Sequence, residues 1–381
     1  EREKLLYLNI DYIRKSEGEN TYSEIFSQAE KWNEVYELYE KRQSDINDFL
    51  RKLGEDLEII FTGAGTSEYV GNVACEYLNS LGIYEFKSIA TTDLVSCPYL
   101  HFKKDKKTLL VSFARSGNSP ESLAAVELGE KLVDDFYNLA ITCASDGKLA
   151  LKLKEDSDSY VFIEPEGTND KGFAMTSSFT SMLLTAFLIF DNRNNKKEIV
   201  SEIIKSANDV LKDSEKIEKL VNFDFDRIIY LGSGPLYKLT NEARLKVLEL
   251  TAGEISSLYE SSMGFRHGPK SFVNDKSLIV SFVSSNEYTR TYDIDVLNEL
   301  ADDKIASEII AISNSQIEGD FKKLIYNNNI DCDAYLSLIY IIVAQLISLI
   351  TSLRVGNTPD SPSKSGTVNR VVKGVTIHPY N

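Results

Sequence analysis

The feature that most constrains the fold is a strand, a glycine-rich turn and a helix that occur in this order twice. A short apolar run ending at Thr62 is followed by Gly63–Ser67 and a helical pattern. The same order recurs at Arg227–Leu231, which precedes Gly232–Pro235 and another helical pattern. Because strands that alternate with helices indicate a parallel, doubly wound α/β sheet, we predict one α/β architecture used twice.

Other apolar runs extend this alternation along the chain. The predicted strands are Thr108–Phe113, Tyr137–Cys143, Tyr160–Ile163, Ser256–Tyr259, Ser277–Val283 and Glu308–Ile312. The predicted helices are Ser119–Val133, Met175–Ile189 and Ala334–Leu353. The last of these is apolar but short for a membrane span, so we interpret it as a buried helix.

The patterns divide the 381-residue chain into four predicted segments. Residues 1–50 have a helical period and form a predicted N-terminal helical extension, in which we expect Trp32 to pack against another element. The two α/β domains are predicted over residues 51–195 and 210–355, and the polar stretch from Asp191 is the predicted linker. Residues 356–381 form a predicted tail with little periodicity.

The composition excludes several classes of partner. Lys and Arg total 42 against 58 Asp and Glu, a formal charge of −16, so we expect no nucleic-acid partner. Four scattered cysteines and three histidines show no metal-binding spacing, so we expect no metal and no other cofactor. The charged first residues lack the apolar region of a signal peptide, and we expect a cytoplasmic protein that does not bind membranes.

Two loops of the first half have the residues of a phosphate site. Gly63–Ser67 and Ser112–Glu121 each lie between a predicted strand and a predicted helix. Free N–H groups at helix N-termini bind anions, serine and threonine hydroxyls add donors, and Arg115 could add a charged contact. Neither loop contains a Walker A or a GxGxxG motif, so ATP and NAD are disfavoured. Each loop is also compatible with an ordinary helix cap.

The second half contains a candidate proton-transfer group. Glu242, Lys246 and Glu249 recur at i, i+4 and i+7, so they share one face of a predicted helix. His267 follows shortly after this helix. Carboxylate and imidazole groups suit proton transfer near neutral pH. The same spacing is also compatible with a solvated helix face that forms ion pairs.

Several of these motifs resemble those of double sugar isomerase (SIS) domain proteins. The motifs are GAGTS at Gly63–Ser67, SFARSGNSPES at Ser112–Ser122, EGTNDKGFAMTSSFTSM from Glu166, LGSGPLYKLTNEARLKVLEL from Leu231, FRHGP at Phe265–Pro269 and NRVVKGVT at Asn369–Thr376. Their order is similar to the isomerase half of glucosamine-6-phosphate synthase. The details are most similar to the tagatose-6-phosphate ketose/aldose isomerase family, also described as galactosamine-6-phosphate deaminase/isomerase.

The resemblance implies two flavodoxin-like, three-layer αβα domains and a role for each matching residue. The expected phosphate-binding residues are Thr66, Ser67, Arg115, Ser116 and Ser119. The expected catalytic residues are Glu249 as the base, Glu242 and Lys246 as its support, His267 for ring opening in a partner subunit's site, and Lys373 near the sugar carbonyl. Ala114 and Arg115 depart from the synthase loop, which has serine and glutamine there.

The expected activity is isomerisation of galactosamine 6-phosphate to tagatose 6-phosphate with release of ammonia, in a homodimer or higher homo-oligomer. We class this expected activity with the isomerases and also with the hydrolases. The alternatives are a tagatose-6-phosphate isomerase without deamination, an epimerase or mutase, and a non-catalytic sugar-phosphate-binding regulator. The sequence does not decide the configuration at C4 or whether C2 bears nitrogen.

Overall fold

A computed structural model describes residues 7–54, 56–372 and 374–381. The chain forms two compact units. The first unit is the described part of Glu30–Asp170, Ser177–Lys196 and Gly366–Asn381. The second unit is the described residues up to Ala29, with Lys171–Thr176 and Lys197–Ser365. The domain limits predicted from the sequence stay a prediction.

The first elements in the described part of the chain are helices, as predicted. They are α1 Ile10–Lys15, α2 Glu19–Phe26 and α3 Gln28–Leu53. The indole of Trp32 in α3 is fully buried, and its Nε1 donates a hydrogen bond to Thr180 Oγ1 at 3.0 Å. The expectation that Trp32 packs against another element is therefore confirmed.

The first unit is built on a five-stranded parallel sheet. Its elements are β1 Glu58–Thr62, α4 Thr66–Ser80, β2 Glu85–Ser88, α5 Thr91–Ser96, α6 Pro98–His101, β3 Thr108–Ala114, α7 Pro120–Leu132, β4 Phe136–Thr142, α8 Lys148–Lys154, β5 Ser159–Ile163 and α9 Ser177–Phe190. The strand order is β2-β1-β3-β4-β5. Every pairing is parallel, so each connection returns the chain to the same edge of the sheet.

Both faces of this sheet are covered, which explains why all five residues of β1 are buried. Ile60 packs in a core with Leu94 of α5 and Ala125 of α7. The next residue, Phe61, faces the other way, and its ring lies 5.5 Å from that of Phe190 in α9. Successive strand residues point to opposite faces, so this is a three-layer αβα unit, as predicted.

The second unit repeats the topology. Its further elements are α10 Lys196–Lys212, α11 Ser214–Val221, β6 Arg227–Gly232, α12 Pro235–Leu250, β7 Ser256–Ser261, β8 Ser277–Phe282, α13 Glu287–Asp303, β9 Glu308–Ser313, β10 Lys322–Ile325 and α14 Asp333–Arg354. The order β10-β9-β8-β6-β7, taken from its other edge with the strands numbered in chain order, is 2-1-3-4-5, as in the first sheet. The prediction of one architecture used twice is confirmed.

Two predictions about helices have different outcomes. Among the described residues, α14 is the one helix long and apolar enough to cross a membrane, and its apolar stretch is wholly buried inside the protein, as predicted. The predicted linker from Asp191 contains the boundary between the two units, which lies between Lys196 and Lys197, but it is helical from Lys196, where α10 begins. The buried residues of α10 include Ile199, Val200 and Ile203, which follow the helical period. The charged residues between and around them gave this segment the composition of a linker.

Candidate active site

The first candidate phosphate loop follows β1 at the carboxyl edge of the first sheet. Gly65 precedes α4 with φ of 56°, a conformation that favours glycine. At Gly63 a Cβ would lie 2.5 Å from the carbonyl carbon of Ser67, so the turn closes only with glycine there. Thr66 and Ser67 are therefore the first two residues of α4, where helix N–H groups and hydroxyls can meet an anion.

The second candidate phosphate loop lies beside the first. It follows β3, which pairs directly with β1, with Thr62 opposite Ser112. From β1 the chain first forms β2 on one side of β1 and then β3 on the other side. The switch point of the sheet therefore lies between β1 and β3. Ligands of open α/β sheets bind at this point. The topology thus brings the two predicted loops to one crevice.

The side chains of the second loop already have partners inside the first unit. The hydroxyl of Ser119, which precedes α7, donates to the Glu121 carboxylate at 2.5 Å. Ser116 Oγ accepts a hydrogen bond from the backbone N–H of Asn118 at 3.4 Å. Arg115 is buried, and its Nη2 donates to the backbone carbonyl of Arg370 in the tail at 2.6 Å. Arg115 is thus in contact with the tail.

The equivalent loop of the second unit has the same backbone and different side chains. Gly234 has φ of 53° and ψ of −131°, against 56° and −127° at Gly65. Pro235 and Leu236 follow it, where the first unit has a threonine and a serine. The hydroxyl donors of the first loop are therefore missing from its counterpart.

A carboxylate from the protein itself occupies the crevice of the second unit. Asp293 accepts hydrogen bonds from Ser233 Oγ and Ser262 Oγ, both at 2.6 Å, and from the backbone N–H of Ser284 at 3.0 Å. Burial raises the pKa of Asp293, against the lowering effect of these donors. Because these donors are already paired with the carboxyl group of Asp293, the first unit is the better candidate for binding a phosphate.

The structure brings together the three helix residues predicted for proton transfer. Lys246 Nζ lies 3.4 Å from Glu242 Oε1 and 2.5 Å from Glu249 Oε2 on α12. Lys246 and Glu242 are fully buried, whereas the Glu249 side chain is 23% exposed. Burial opposes the charge of Lys246, yet the two carboxylates outweigh it and raise its pKa. Lys246 is therefore an ammonium ion near neutral pH and cannot act as a base.

His267 lies at the carboxyl edge of the second sheet, whereas Glu249 lies near its amino edge. His267 is exposed and follows a short 3-10 turn, Gly264–Arg266, after the carboxyl end of β7. Glu249 is the penultimate residue of α12, which returns the chain to the amino edge before β7 begins. The six residues of β7 span about 20 Å. Glu249 and His267 of one chain therefore lie at opposite edges of the second sheet.

Lys373 lies outside the described residues, so its predicted place near the sugar carbonyl stays a prediction. Three residues earlier, Arg370 is described and contacts the first unit. Its Nε donates to the backbone carbonyl of Asp170 at 2.9 Å, and its Nη2 donates to Asn169 Oδ1 at 3.0 Å. The described tail residues from Gly366 onward thus belong to the unit that carries the phosphate loops. Within the described residues, no group of three or more His, Cys, Asp or Glu side chains could hold a metal ion.

Comparison with known proteins identifies the family. No family model matches the chain. The chain is 40% identical over 370 residues to D-galactosamine-6-phosphate deaminase AgaS of Escherichia coli, covering 95% of this chain and 96% of the relative. The chain belongs to the D-galactosamine-6-phosphate deaminase AgaS family. The predicted family is therefore confirmed.

One solved structure supports this family assignment, and a second has the same fold. The crystal structure of tagatose-6-phosphate ketose/aldose isomerase from Escherichia coli has a TM-score of 0.89 at 38% identity, covering 95% of this chain and 96% of that one. The C-terminal domain of glucosamine-fructose-6-phosphate aminotransferase from Francisella tularensis has a TM-score of 0.75 at 18% identity, covering 90% of this chain and 98% of that one. The second likeness shows the shared fold alone.

The family names correct one prediction. Classing the activity with the hydrolases is wrong, because the similar proteins are named deaminase and isomerase. The hydrolase class was expected because water is a reactant when ammonia is released. The names of the similar proteins instead describe the change in the sugar, which is the loss of an amine or a shift of the carbonyl group.

Sequence reasoning missed three residues of interest. Arg370 lies within the quoted NRVVKGVT motif, but no local pattern indicates its contacts or those of Asp293, which form through tertiary folding. Glu164, directly after β5, is almost fully buried, and burial raises its pKa to about 8. A charged residue at the end of a predicted apolar strand was the available signal for Glu164, and it is a weak one.

Proposed function

We propose that this protein converts D-galactosamine 6-phosphate to D-tagatose 6-phosphate with release of ammonia, and that Glu249 transfers the proton from C2 to C1. The observation that carries the proposal is the α12 group, in which a fully buried ammonium holds the partly exposed Glu249 carboxylate at 2.5 Å. The ammonium fixes the position of one oxygen of this carboxylate and leaves the side chain partly open to solvent. The carboxylate is thereby prepared to remove a proton.

The names of two similar proteins describe related chemistry. One is named a galactosamine-6-phosphate deaminase and the other a tagatose-6-phosphate isomerase. Galactosamine and tagatose share the configuration at C4, and moving the carbonyl group from C1 to C2 with loss of the C2 amine converts the first into the second. Both reactions start with removal of the proton at the carbon next to the carbonyl group. One catalytic base can therefore carry out the first step of either reaction.

The reaction balances without a redox step. In the open-chain aldehyde, Glu249 removes the C2 proton and an enolamine forms. Return of the proton to C1 leaves a C1 alcohol and a C2 imine. Water adds to the imine carbon and ammonia leaves, which gives the ketone of tagatose 6-phosphate. Positioned acid–base groups of this kind typically accelerate such steps by about 10²–10⁴-fold.

The phosphate loops supply the binding that orients the sugar. Thr66, Ser67, Ser116 and Ser119 are the proposed donors to the 6-phosphate, together with the N-terminal N–H groups of α4 and α7. With a formal charge of −16, the whole chain repels an anion, so the affinity must come from these local groups. Binding at the phosphate end holds the reacting carbons in place.

His267 is proposed to assist ring opening in the active site of a partner subunit. This proposal rests on the positions of Glu249 and His267 in one chain, which lie at opposite edges of the second sheet. Strand β7, about 20 Å long, separates these two edges. Two inactive variants, Glu249→Gln and His267→Ala, should then complement each other. Co-expressed in a homodimer, they should restore roughly a quarter of wild-type activity, because half of the dimers have one intact site of two. No recovery in confirmed mixed dimers would contradict a shared site.

The alternative is tagatose-6-phosphate isomerisation without deamination, which the name of the Escherichia coli structure favours. The purified protein should be incubated with a panel of hexose and hexosamine 6-phosphates while ammonia and ketose are measured together. The proposal predicts equal amounts of ammonia and tagatose 6-phosphate from galactosamine 6-phosphate. Ketose formation from a neutral aldose phosphate, without ammonia from the amino sugar, would favour the alternative. A cytoplasmic location stays a prediction.

A further inference from the structure

Two arginines connect the C-terminal tail to two loops of the first unit. Arg115 belongs to the β3–α7 phosphate loop, and Arg370 belongs to the tail. Arg115 donates to the backbone carbonyl of Arg370 at 2.6 Å, across 255 residues of sequence. Arg370 donates in turn to Asn169 and to the backbone carbonyl of Asp170. We call these two arginines with Asn169 and Asp170 the tail clasp.

The acceptors of the tail clasp are held rigidly. Asp170 is fully buried, and its carboxylate accepts the backbone N–H groups of Ser177 and Ser178 at 3.1 Å and 2.9 Å. These groups open α9, a helix buried along its whole length. A carboxylate at a helix N-terminus fixes the preceding chain. The backbone carbonyl of Asp170 therefore has a fixed direction. Arg370 donates to it with a planar guanidinium group, whose N–H groups also have fixed directions.

The position of Arg115 differs from that of a solvent-facing phosphate ligand. Only 8% of the residue is exposed, and Nη2 is directed at the tail. A guanidinium presents several N–H groups in fixed directions, so one bond to the tail orients the whole group. A backbone carbonyl as acceptor also means that the contact depends on the path of the tail and not on the side chain of Arg370.

We propose that Arg115 is a positioning residue whose guanidinium, with that of Arg370, fixes the tail segment that precedes Lys373 onto the phosphate loop. The consequence for catalysis rests on the proposed function, in which Lys373 acts near the sugar carbonyl three residues after Arg370. Loss of the tail clasp then slows turnover while the hydroxyls and helix N-termini of the loops still bind the phosphate.

Hydrogen–deuterium exchange of the substrate-free protein tests the tail clasp directly. Arg115→Ala and Arg370→Ala should each accelerate exchange in a peptide covering residues 366–372 by about tenfold, the effect of losing one or two hydrogen bonds from charged donors. The double variant should exchange no faster than the faster single variant, because both substitutions release the same segment. Unchanged exchange in both single variants would overturn the proposal.

Lys131→Ala is the matched control for these variants. Lys131 donates to the backbone carbonyl of Tyr380, so it contacts the same tail beyond Lys373 and lies outside the tail clasp. Exchange of residues 366–372 should stay as in wild type in this variant. Equal acceleration in Lys131→Ala would show that any tail contact has the same effect, and it would overturn a specific role for the two arginines.

Steady-state kinetics with galactosamine 6-phosphate separate positioning from phosphate binding. Arg115→Ala and Arg370→Ala should lower kcat by about tenfold or more, with inhibition by inorganic phosphate unchanged within about twofold. Arg115→Lys, which keeps the charge without the planar fork, should not restore kcat. Weakened phosphate inhibition in Arg115→Ala, with normal kcat in Arg370→Ala, would show instead that Arg115 is a phosphate ligand. The exchange result is independent of substrate, so it distinguishes failure of the tail clasp from failure of the proposed function.

Discussion

Replacing the buried Lys246 with methionine tests the ion-paired group on α12. Lys246→Met removes the ammonium and fills most of its space with an apolar chain. At an effective dielectric constant of about 20, the pairs at 3.4 Å and 2.5 Å have Coulomb energies of about 5 and about 7 kcal/mol before desolvation is subtracted. Breaking a buried pair typically costs about 3–5 kcal/mol net, because a buried charge is left without its partner. We expect a loss of stability in this range at pH 7.5.

Urea unfolding measures this loss, and pH provides a second check. The raised pKa of Lys246 keeps the wild-type contribution constant below pH 10, since it is lost only as pH rises through that pKa. In Lys246→Met the buried Glu242 can take up a proton, so the deficit should shrink at pH 5. Adding Glu242→Gln should restore much of the stability. Lys205→Met, which breaks the ion pair between the exposed Lys205 and the partly buried Glu202, is the control and should change little. A Lys246→Met protein within about 1 kcal/mol of wild type would refute the reasoning.

Two further predictions concern Glu164 and Ser67. The folded protein keeps the Glu164 proton up to about pH 8, whereas the unfolded chain loses it near its ordinary pKa, so stability should fall across this range by up to about 1.4 kcal/mol per pH unit. Glu164→Gln should flatten the profile of urea midpoints from pH 5 to 8, and parallel profiles would contradict this. Ser67→Ala should raise KM for the sugar phosphate about 10–100-fold with little change in kcat, because one hydrogen bond to a charged group is lost. Ser80→Ala in the same helix, whose hydroxyl bonds to the carbonyl of Tyr77, is the control, and an equal rise in KM there would count against the phosphate role.

The parts of the fold that the sequence predicted are those with a local signal. Central strands such as β1 and β3 are continuous apolar runs, because both faces of the sheet are covered. The missed strands β2 and β10 read EFKS and KKLI, and both lie at sheet edges. Each has only four residues and two of them are charged, so neither forms a hydrophobic run, whereas the longer edge strands β5 and β7 were predicted.

The candidate site likewise contains residues that a local pattern predicted and contacts that only the tertiary structure shows. Glu242, Lys246 and Glu249 were predicted to share a helix face because their spacing follows the helical period, and the structure places them together. The contact of Arg115 with the tail could not be predicted, since its partners are separated by 255 residues. Nor could the spacing show that Asp293 occupies the second crevice, because that requires the strand order of the second sheet.

The most direct test of the account is turnover of galactosamine 6-phosphate by wild-type protein and by Glu249→Gln in deuterated water. NMR should show one deuterium at C1 of the tagatose 6-phosphate formed by the wild type whenever the transferred proton exchanges with solvent, with one ammonia released per ketose. Glu249→Gln should keep its affinity for the sugar phosphate and lose about 10²–10⁴-fold in kcat. Wild-type turnover by Glu249→Gln would contradict the central claim that Glu249 moves the proton from C2 to C1.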